Sequence, residues 1–256
     1  MAGCLSGGML MYEGCVKGVS HMRIRKFIPM VCVLFIVGLT QSSYAAGAIS
    51  LSYCGQWHFD EGSGTIAYDC SGEGHDGTIS GATWSTDSRA GAAALLFEGI
   101  SPAVVIDDLD LPGNMTVWAS VKVNGPGLGH GQAIVSKWNP GYGGNYELGL
   151  DPLLRPYFEV AFAGSGEGPL APAPLTPGVW YDLMGTYDGT TIRICIDGKQ
   201  VASYPQVGTV DQNDLITTIG SSASYGAEPT LRPFNGIIDE VAIANWAGAI
   251  FRRCAD

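Results

Sequence analysis

Acidic residues and a glycine-rich loop give this sequence its clearest potential for chemistry. Two acidic pairs, Asp60-Glu61 and Asp239-Glu240, and the loop from Ser71 to Asp76 offer carboxylate and backbone oxygens. Calcium takes six to eight oxygen ligands in flexible geometry, so these groups could bind it. The candidate calcium ligands are Asp60, Glu61, Ser71, Gly74, Asp76 and Asp239. The alternative is a set of solvated acidic turns, because the ligands form one site only if their segments lie side by side.

An aromatic loop is the second candidate site. The stretch from Trp138 to Tyr146 contains three aromatic residues and two asparagines among glycines. Sugar rings stack on Trp and Tyr side chains and form hydrogen bonds with neighbouring polar groups. The candidate sugar-binding residues are Trp138, Asn139, Tyr142, Asn145 and Tyr225. The alternative is that Trp138 and Tyr146 end strands and pack inward, which leaves Tyr142 alone exposed.

Motifs for other kinds of chemistry are either accidental matches or missing from the sequence. The segment Gly72–Gly77 reads G-x-G-x-x-G, but a Thr-Ile strand follows it where a dinucleotide site needs a helix. The histidines are scattered, and the chain contains no G-x-S-x-G motif for acyl transfer. We therefore expect a protein that is not an enzyme.

The N-terminal part has the pattern of an export signal. A basic stretch, Met22–Lys26, precedes the apolar run Phe27–Leu39, and Ser43 and Ala45 are small residues at positions −3 and −1 of a cleavage site. The sequence thus predicts a signal peptide at 22–45, cleaved after Ala45, behind a spurious or disordered extension at 1–21. The folded domain is 46–256, and we expect it to be secreted or extracytoplasmic, with no membrane insertion after the signal is removed.

The charge of the domain argues against anionic partners. Four of the 13 basic residues and one of the 24 acidic residues lie before the cleavage point, which leaves 9 basic and 23 acidic residues and a formal net charge of −14. Such a surface repels phosphate backbones and anionic lipids. We therefore expect no nucleic acid and no membrane surface among its partners.

The cysteines of the exported domain indicate disulfides. An even number of cysteines in an exported chain permits two bridges, and no C-x-x-C spacing suggests zinc or a redox dithiol. We favour a bridge between the two that flank the first and last strands, with unpaired thiols as the alternative. The four cysteines, in chain order, are Cys54, Cys70, Cys195 and Cys254.

Short strands dominate the domain. In Thr191–Ile196, three isoleucines share one face, and the turn Asp197-Gly198 then leads into a second strand of a hairpin; we expect the same at Asp188-Gly189. Some thirteen strands are too many for one open sheet, so the sequence predicts a two-sheet antiparallel jelly-roll sandwich, an all-β fold. The predicted core aromatics are Trp57, Phe59, Phe97, Trp118, Trp180 and Phe234. The predicted strands are Gln56–Asp60, Thr78–Trp84, Ala94–Phe97, Ala103–Ile106, Met115–Val123, Ala133–Trp138, Tyr146–Leu150, Tyr157–Phe162, Trp180–Tyr187, Thr191–Ile196, Lys199–Tyr204, Leu215–Ile219 and Phe234–Ala244.

An ordered set of short motifs carries a family resemblance. They are Trp57–Gly64, Tyr68–Thr78, Leu96–Gly99, Val117–Lys122, Ile134–Lys137, Leu175–Tyr181, Thr186–Thr190, Ile194–Gly198 and Phe234–Val241. Together they cover about 55–245, and the chain resembles the laminin-G-like, concanavalin A-like jelly-roll domains of secreted bacterial proteins. It departs from them at Cys70, Glu73 and His75, where the family usually has Ser, Asn and Asn.

The resemblance implies a ligand-recognition module. It implies that the first and last strands pair antiparallel, which brings the two acidic pairs together around a structural calcium ion. It also implies binding of a carbohydrate or glycoconjugate, with a protein-interaction or adhesion module at the cell surface as the alternative. A glycan-cleaving enzyme is the lesser alternative, because the Glu-x-Asp-x-x-Glu strand of endo-glucanases on this fold is missing from the sequence.

Overall fold

A computed structural model describes residues 53–98, 103–127, 131–139, 143–222 and 232–248. All of these belong to one compact unit. The predicted extension 1–21 and the signal peptide 22–45 with its cleavage point at Ala45 lie outside the described residues. Within the described ranges, no helix is both long and apolar enough to cross a membrane.

Sixteen strands in the described residues form two antiparallel sheets of eight, which confirms the all-β sandwich. The first sheet has the order β14 (Lys199–Pro205), β13 (Thr191–Ile196), β12 (Trp180–Tyr187), β7 (Met115–Val123), β16 (Asn235–Ala244), β5 (Ala94–Glu98) and β4 (Thr83–Ser85), with β1 (Tyr53–Trp57) also paired to β16. The second has the order β11 (Ser165–Glu167), β10 (Pro156–Phe162), β9 (Gly143–Leu150), β8 (Gln132–Asn139), β15 (Thr217–Ile219), β6 (Ala103–Ile106), β3 (Gly77–Ser80) and β2 (Ile66–Ala67).

One hydrophobic core fills the space between the sheets, because alternate residues of each strand point inward. Four of the six predicted core aromatics are fully buried there, namely Trp57, Phe59, Phe97 and Phe234. Trp118 and Trp180 are corrections, since both are only partly buried. Val117 and Ala119 point into the core, so Trp118 between them must face outward. The indole N–H of Trp180 donates to Asp87 Oδ1 at 3.3 Å.

The predicted turns are partly confirmed. Asp197 and Gly198 have φ of 49° and 75°, as the predicted two-residue turn between β13 and β14 requires. At the other turn only Gly189 has a positive φ, and the Asp188 carboxylate instead accepts hydrogen bonds from the chain that follows. The single strand predicted over Thr78–Trp84 is two strands in different sheets, β3 and β4.

The cysteine prediction needs correction. Cys54 and Cys195 are thiols, so neither forms the predicted bridge, including the favoured pairing of Cys54 with Cys254. Cys195 lies inside the first sheet with Met184 and Gln200 opposite it on the neighbouring strands. Cys70 is disulfide-bonded, and Cys254 lies outside the described residues.

Candidate functional site

Two predicted calcium ligands stabilise a turn of the backbone. The strands β1 and β16 pair antiparallel, as the resemblance implies. Asp239 Oδ2 accepts hydrogen bonds from the backbone N–H groups of Arg89 and Ala90 at 2.8 and 3.0 Å. Asp60 Oδ1 accepts one from Ala92 N–H at 2.6 Å. The two carboxylates therefore anchor the same turn, which precedes β5.

The glycine-rich loop closes on Asp69, which is not among the predicted ligands. Asp69 Oδ2 accepts hydrogen bonds from Ser71 Oγ at 2.7 Å and from the N–H groups of Gly74 and His75 at 3.1 and 3.0 Å. Asp76 Oδ1 in turn accepts from the N–H of Asp69 at 2.8 Å. Burial favours a higher pKa for Asp69, but its hydrogen bonds outweigh burial and lower the pKa.

Glu61, a further predicted calcium ligand, also accepts a hydrogen bond from the backbone. Glu61 Oε1 accepts a hydrogen bond from Tyr68 N–H at 2.8 Å, and Glu61 Oε2 is buried without a hydrogen-bond partner. Across the part of the chain that the structure describes, no group of three or more His, Cys, Asp or Glu side chains is arranged to hold a metal ion. Calcium binding stays a prediction of the sequence.

Asp239 has an unusual proton affinity. Its side chain is fully buried. Burial, together with the adjacent charge of Glu240, raises the pKa of the Asp239 carboxyl to about 7, despite the backbone N–H groups that donate to it. Between about pH 4 and pH 7 the folded state therefore binds more protons than the unfolded chain. Asp239 makes the free energy of unfolding fall as the pH rises through this window.

Asp239→Asn should remove this pH dependence, because an amide oxygen still accepts the hydrogen bonds from Arg89 and Ala90 but the side chain does not titrate. In EDTA, we expect the melting temperature of the native protein, relative to that of the variant, to fall between about pH 5 and about pH 8. The same pH dependence in both proteins would contradict this assignment.

Calcium in place of EDTA tests the predicted metal site: a higher melting temperature would confirm it, and an unchanged one would contradict it.

The three predicted sugar-binding residues that the structure describes are all largely buried. The other two, Tyr142 and Tyr225, lie outside the described residues. Asn139 and Asn145 are buried at the adjoining ends of β8 and β9. Asn145 accepts a hydrogen bond from Leu111 N–H at 3.0 Å and donates to Asp211 O at 2.5 Å, so it connects two loops. Trp138 keeps 8% of its surface exposed.

Trp138 borders a row of polar side chains that crosses four strands of the second sheet. Thr218, Ser136, Glu147 and Glu159 lie directly opposite one another on β15, β8, β9 and β10. At least one neighbour of each along its strand belongs to the hydrophobic core, so these four point away from it. We call these four residues the polar row.

Glu147 is the centre of a charged network in the polar row. Its side chain has no exposed surface. Oε2 accepts a hydrogen bond from Ser136 Oγ at 2.6 Å, and Oε1 accepts one from the Tyr157 hydroxyl. Arg232 faces both oxygens, with Nη1 2.9 Å from Oε1 and Nη2 3.2 Å from Oε2. This forked ion pair compensates the buried charge and occupies both carboxylate oxygens.

Two aromatic rings lie on opposite sides of the polar row, each above a glycine. Trp138 is opposite Gly144, and Tyr157 is opposite Gly149. A Cβ at Gly144 would overlap the indole ring, and one at Gly149 would crowd the tyrosine hydroxyl. A Cβ at Gly166 would lie 2.7 Å from the far edge of the indole. The three glycines thus allow both rings to lie along the sheet.

Glu159 ends the polar row on β10 and is partly exposed. Burial raises the pKa of Glu159, and the nearby charges of Glu147 and Glu167 raise it further, against the opposing effect of Arg232. A Cβ at Gly166 would lie 3.1 Å from Glu159 Oε2, which places this carboxylate beside the indole edge of Trp138. An aromatic ring, a carboxylate and a fixed network of hydrogen-bonding groups therefore meet on this face of the sheet.

A separate pocket of about 250 Å³ opens at the rim of the sandwich. It is lined by Tyr53, Cys54, Glu73, His75, Asp108, Leu109 and Asp110. Behind it, the fully buried Lys137 places Nζ 2.6 Å from Asp108 Oδ1 and 3.1 Å from Asp110 Oδ1. Nζ also donates to the backbone oxygens of Asn213 and Leu215 at 2.8 and 2.5 Å. Lys137 thus balances two of the pocket's carboxylates and links two rim loops.

The sequence profile described as the concanavalin A-like lectin/glucanases superfamily, a laminin-G-like family, matches residues 98–247. The match covers more than half of the chain. The protein belongs to this superfamily. A search of curated protein sequences finds no match.

Solved structures of the same concanavalin A-like fold include a domain crystallised with a sugar. Domain 4 of AbnA, an extracellular arabinanase from Geobacillus stearothermophilus in complex with arabinotriose, is 18% identical with a TM-score of 0.61; the match covers 78% of this chain and 95% of that one. A sialidase from Trypanosoma rangeli in complex with sialic acid is 16% identical with a TM-score of 0.55, covering 76% of this chain and 31% of that one. The receptor-binding domain of a botulinum neurotoxin, mosaic serotype C/D, is 10% identical with a TM-score of 0.57, covering 77% and 48%.

The network on this concanavalin A-like domain was not predicted from the sequence. Glu147, Tyr157, Glu159 and Arg232 are absent from the predicted site residues. A usable indication does exist in the sequence: Glu147 and Glu159 each interrupt an otherwise apolar strand at a position that alternation places outside the core. Arg232 lies between strands, so no pattern in the sequence connects it to them.

Proposed function

We propose that the protein is an exported, non-catalytic carbohydrate-binding module that holds an oligosaccharide at the polar row. The observation that carries the proposal is the arrangement of Trp138 and Tyr157 on either side of the row, with Glu159 at its accessible end. Sugars combine apolar C–H faces with many hydroxyl groups. Sites that bind them pair aromatic surfaces with a few fixed polar groups.

The polar groups of this site are held in place before a ligand arrives. Glu147, Ser136, Tyr157 and Arg232 fix one another through hydrogen bonds and the forked ion pair. A rigid site loses little conformational entropy on binding, which favours affinity. The similarity to an arabinanase domain crystallised with arabinotriose supports the proposal at the level of the fold.

The geometry favours binding over cleavage. Glu147 and Glu159 face each other on adjacent strands, where Cβ atoms lie about 4.5–5.5 Å apart, a spacing that brings two carboxyls as close as a retaining glycosidase requires. However, Glu147 is fully buried, and both of its oxygens accept hydrogen bonds within the network. It therefore has no free oxygen to attack or protonate a glycosidic bond. We propose that Glu159 binds sugar and that Glu147 holds the network in place, without cleavage of the ligand.

Trp138→Ala should weaken glycan binding by about two- to tenfold, because aromatic contacts of this kind contribute about 0.5–1.5 kcal/mol beyond the buried area. A glycan array with the exported protein, followed by calorimetric titration of the best ligand, measures the loss. Gly166→Ala, which pushes a methyl group against the indole edge, is a second variant that keeps the tryptophan. Trp118→Ala is the matched control, because Trp118 lies on the outer face of the other sheet.

Absence of saturable binding to any glycan would contradict the proposed function. Equal losses in Trp138→Ala and Trp118→Ala would contradict the site but not the function. Incubation of the bound glycan with the protein should release no new reducing ends, and their steady release would contradict the non-catalytic part of the proposal.

A second candidate function, protein interaction or adhesion, is favoured by an aromatic cluster on the first sheet. Tyr53, Trp118 and Trp246 are partly buried there and pack on Ala242 and Ala244. The rings of Tyr53 and Trp246 are 5.0 Å apart and edge-to-face. Partly exposed aromatic residues of this kind are enriched at protein interfaces. If this function holds, Trp118→Ala rather than Trp138→Ala should abolish capture of a partner from cell-surface extracts.

A further inference from the structure

We infer that the oligosaccharide bound at the polar row is uncharged, and that Glu159 is the residue that excludes acidic sugars. The inference rests on the proposed function and narrows it to a class of ligand. It follows from the distribution of charge among the side chains that border the row.

The cationic group of the site is already engaged. Arg232 faces both oxygens of Glu147, and its Nη1 also donates to the Tyr157 hydroxyl at 3.0 Å. The Nε atom of Arg232 has no hydrogen-bond partner among the described residues, but it is buried and therefore closed to a ligand. Sites that recognise acidic sugars need a guanidinium or ammonium whose donors are free for the carboxylate of the ligand. Breaking the pair with Glu147 to supply one would leave that residue charged and buried, which is strongly unfavourable.

Glu159 is the charge that remains uncompensated. No Lys, Arg or His in the described ranges forms an ion pair with it. Glu147 and Glu167 add negative potential at its position, and Arg232 offsets it only in part. An incoming carboxylate or sulfate would therefore meet net negative charge beside Trp138.

The size of this repulsion is sufficient to select ligands. Two like charges about 6 Å apart at an effective dielectric constant of about 40 repel by an amount equivalent to about tenfold in affinity. For an uncharged sugar the same carboxylate is favourable, because hydroxyl groups donate to it and hydrogen bonds to a charged acceptor are stronger than neutral ones. One residue thus contributes to affinity for neutral sugars and to rejection of acidic ones.

The test uses two trisaccharides that differ only at C6. Galactotriose and trigalacturonate with the same α-1,4 linkages carry a hydroxymethyl group and a carboxylate at that position. The measurement is calorimetric titration of the exported protein at about pH 7 and low ionic strength. Galactotriose, or the best neutral ligand from the array, should bind at least about tenfold more tightly than its uronate counterpart. In Glu159→Gln, we expect the preference to shrink to less than about threefold.

Glu98→Gln is the matched control. It makes the same chemical change and the same change in net charge at an exposed carboxylate on the first sheet, so the preference should stay as in the native protein. Tighter binding of the uronate by the native protein would overturn the inference, and so would an unchanged preference in Glu159→Gln. Either result leaves the proposed function standing, whereas no binding of any glycan overturns both.

Discussion

Arg232→Met is expected to lower the free energy of unfolding by about 3–5 kcal/mol, the cost of leaving one member of a buried ion pair without its partner. In the native protein, Arg232 approaches both oxygens of Glu147, and the side chain of Glu147 has no exposed surface. In the variant, Ser136 and Tyr157 still donate to Glu147, but no cation balances its charge. Urea unfolding at neutral pH measures the loss.

A compensating variant separates charge from packing. If the uncompensated charge is the cause, Glu147→Gln combined with Arg232→Met should recover most of the stability, because it removes both charges. Arg155→Met serves as the matched control: Arg155 pairs with Asp151 at a site where its side chain is 33% exposed, and surface pairs contribute about 0–1 kcal/mol. A loss in Arg232→Met no larger than in Arg155→Met would show that the network is not a stabilising element.

Local sequence patterns predicted most of the strands, because a strand with one buried face repeats every two residues. Ile192 and Ile194 are fully buried as their alternation requires, and the turn at Asp197-Gly198 has the positive φ values that its composition demands. The shortest strands, such as β2 with two residues, were not predicted. Two residues are too few to show a period.

Alternation also explains the errors in the predicted core. Trp118 was assigned to the core because it is large and apolar, but its position between two buried residues of β7 places it on the outer face. The two-residue period of the strand outweighs the preference of one apolar side chain for the core. Turning Trp118 inward would move every other side chain of the strand to the opposite face.

The candidate site depends on contacts between segments that are far apart in the sequence. Thr218 lies opposite Ser136, 82 residues away, and Arg232 reaches Glu147 across 85 residues. The alternation of residues along each strand predicts that Glu147 and Glu159 point away from the core. The sequence does not show the order of the strands, which places the two residues in one row.

Lys137, at the rim of the sandwich, also connects segments that are far apart in the sequence. Its replacement should lower the free energy of unfolding by an amount comparable to that of Arg232→Met. Its ammonium group has no exposed surface and contacts oxygens of Asp108, Asp110, Asn213 and Leu215. Lys137→Met removes the charge that holds two carboxylates and two backbone carbonyls together. We expect a loss of about 3–5 kcal/mol in the free energy of unfolding, because the two carbonyls lose their donor at about 1–3 kcal/mol each and the two partly exposed carboxylates then repel each other.

Hydrogen exchange distinguishes a local role for Lys137 from general destabilisation. Under conditions where both proteins remain folded, amide exchange in Lys137→Met should accelerate first in the segments around Asp110 and Asn213, which the ammonium group joins. Lys122→Met is the matched control, because Lys122 pairs at the surface with Asp87 and should contribute less than about 1 kcal/mol. Uniform acceleration of exchange over both sheets would mean that Lys137 stabilises the sandwich as a whole. Equal stability of the two variants would mean that the oxygens around the ammonium group of Lys137 are satisfied without it.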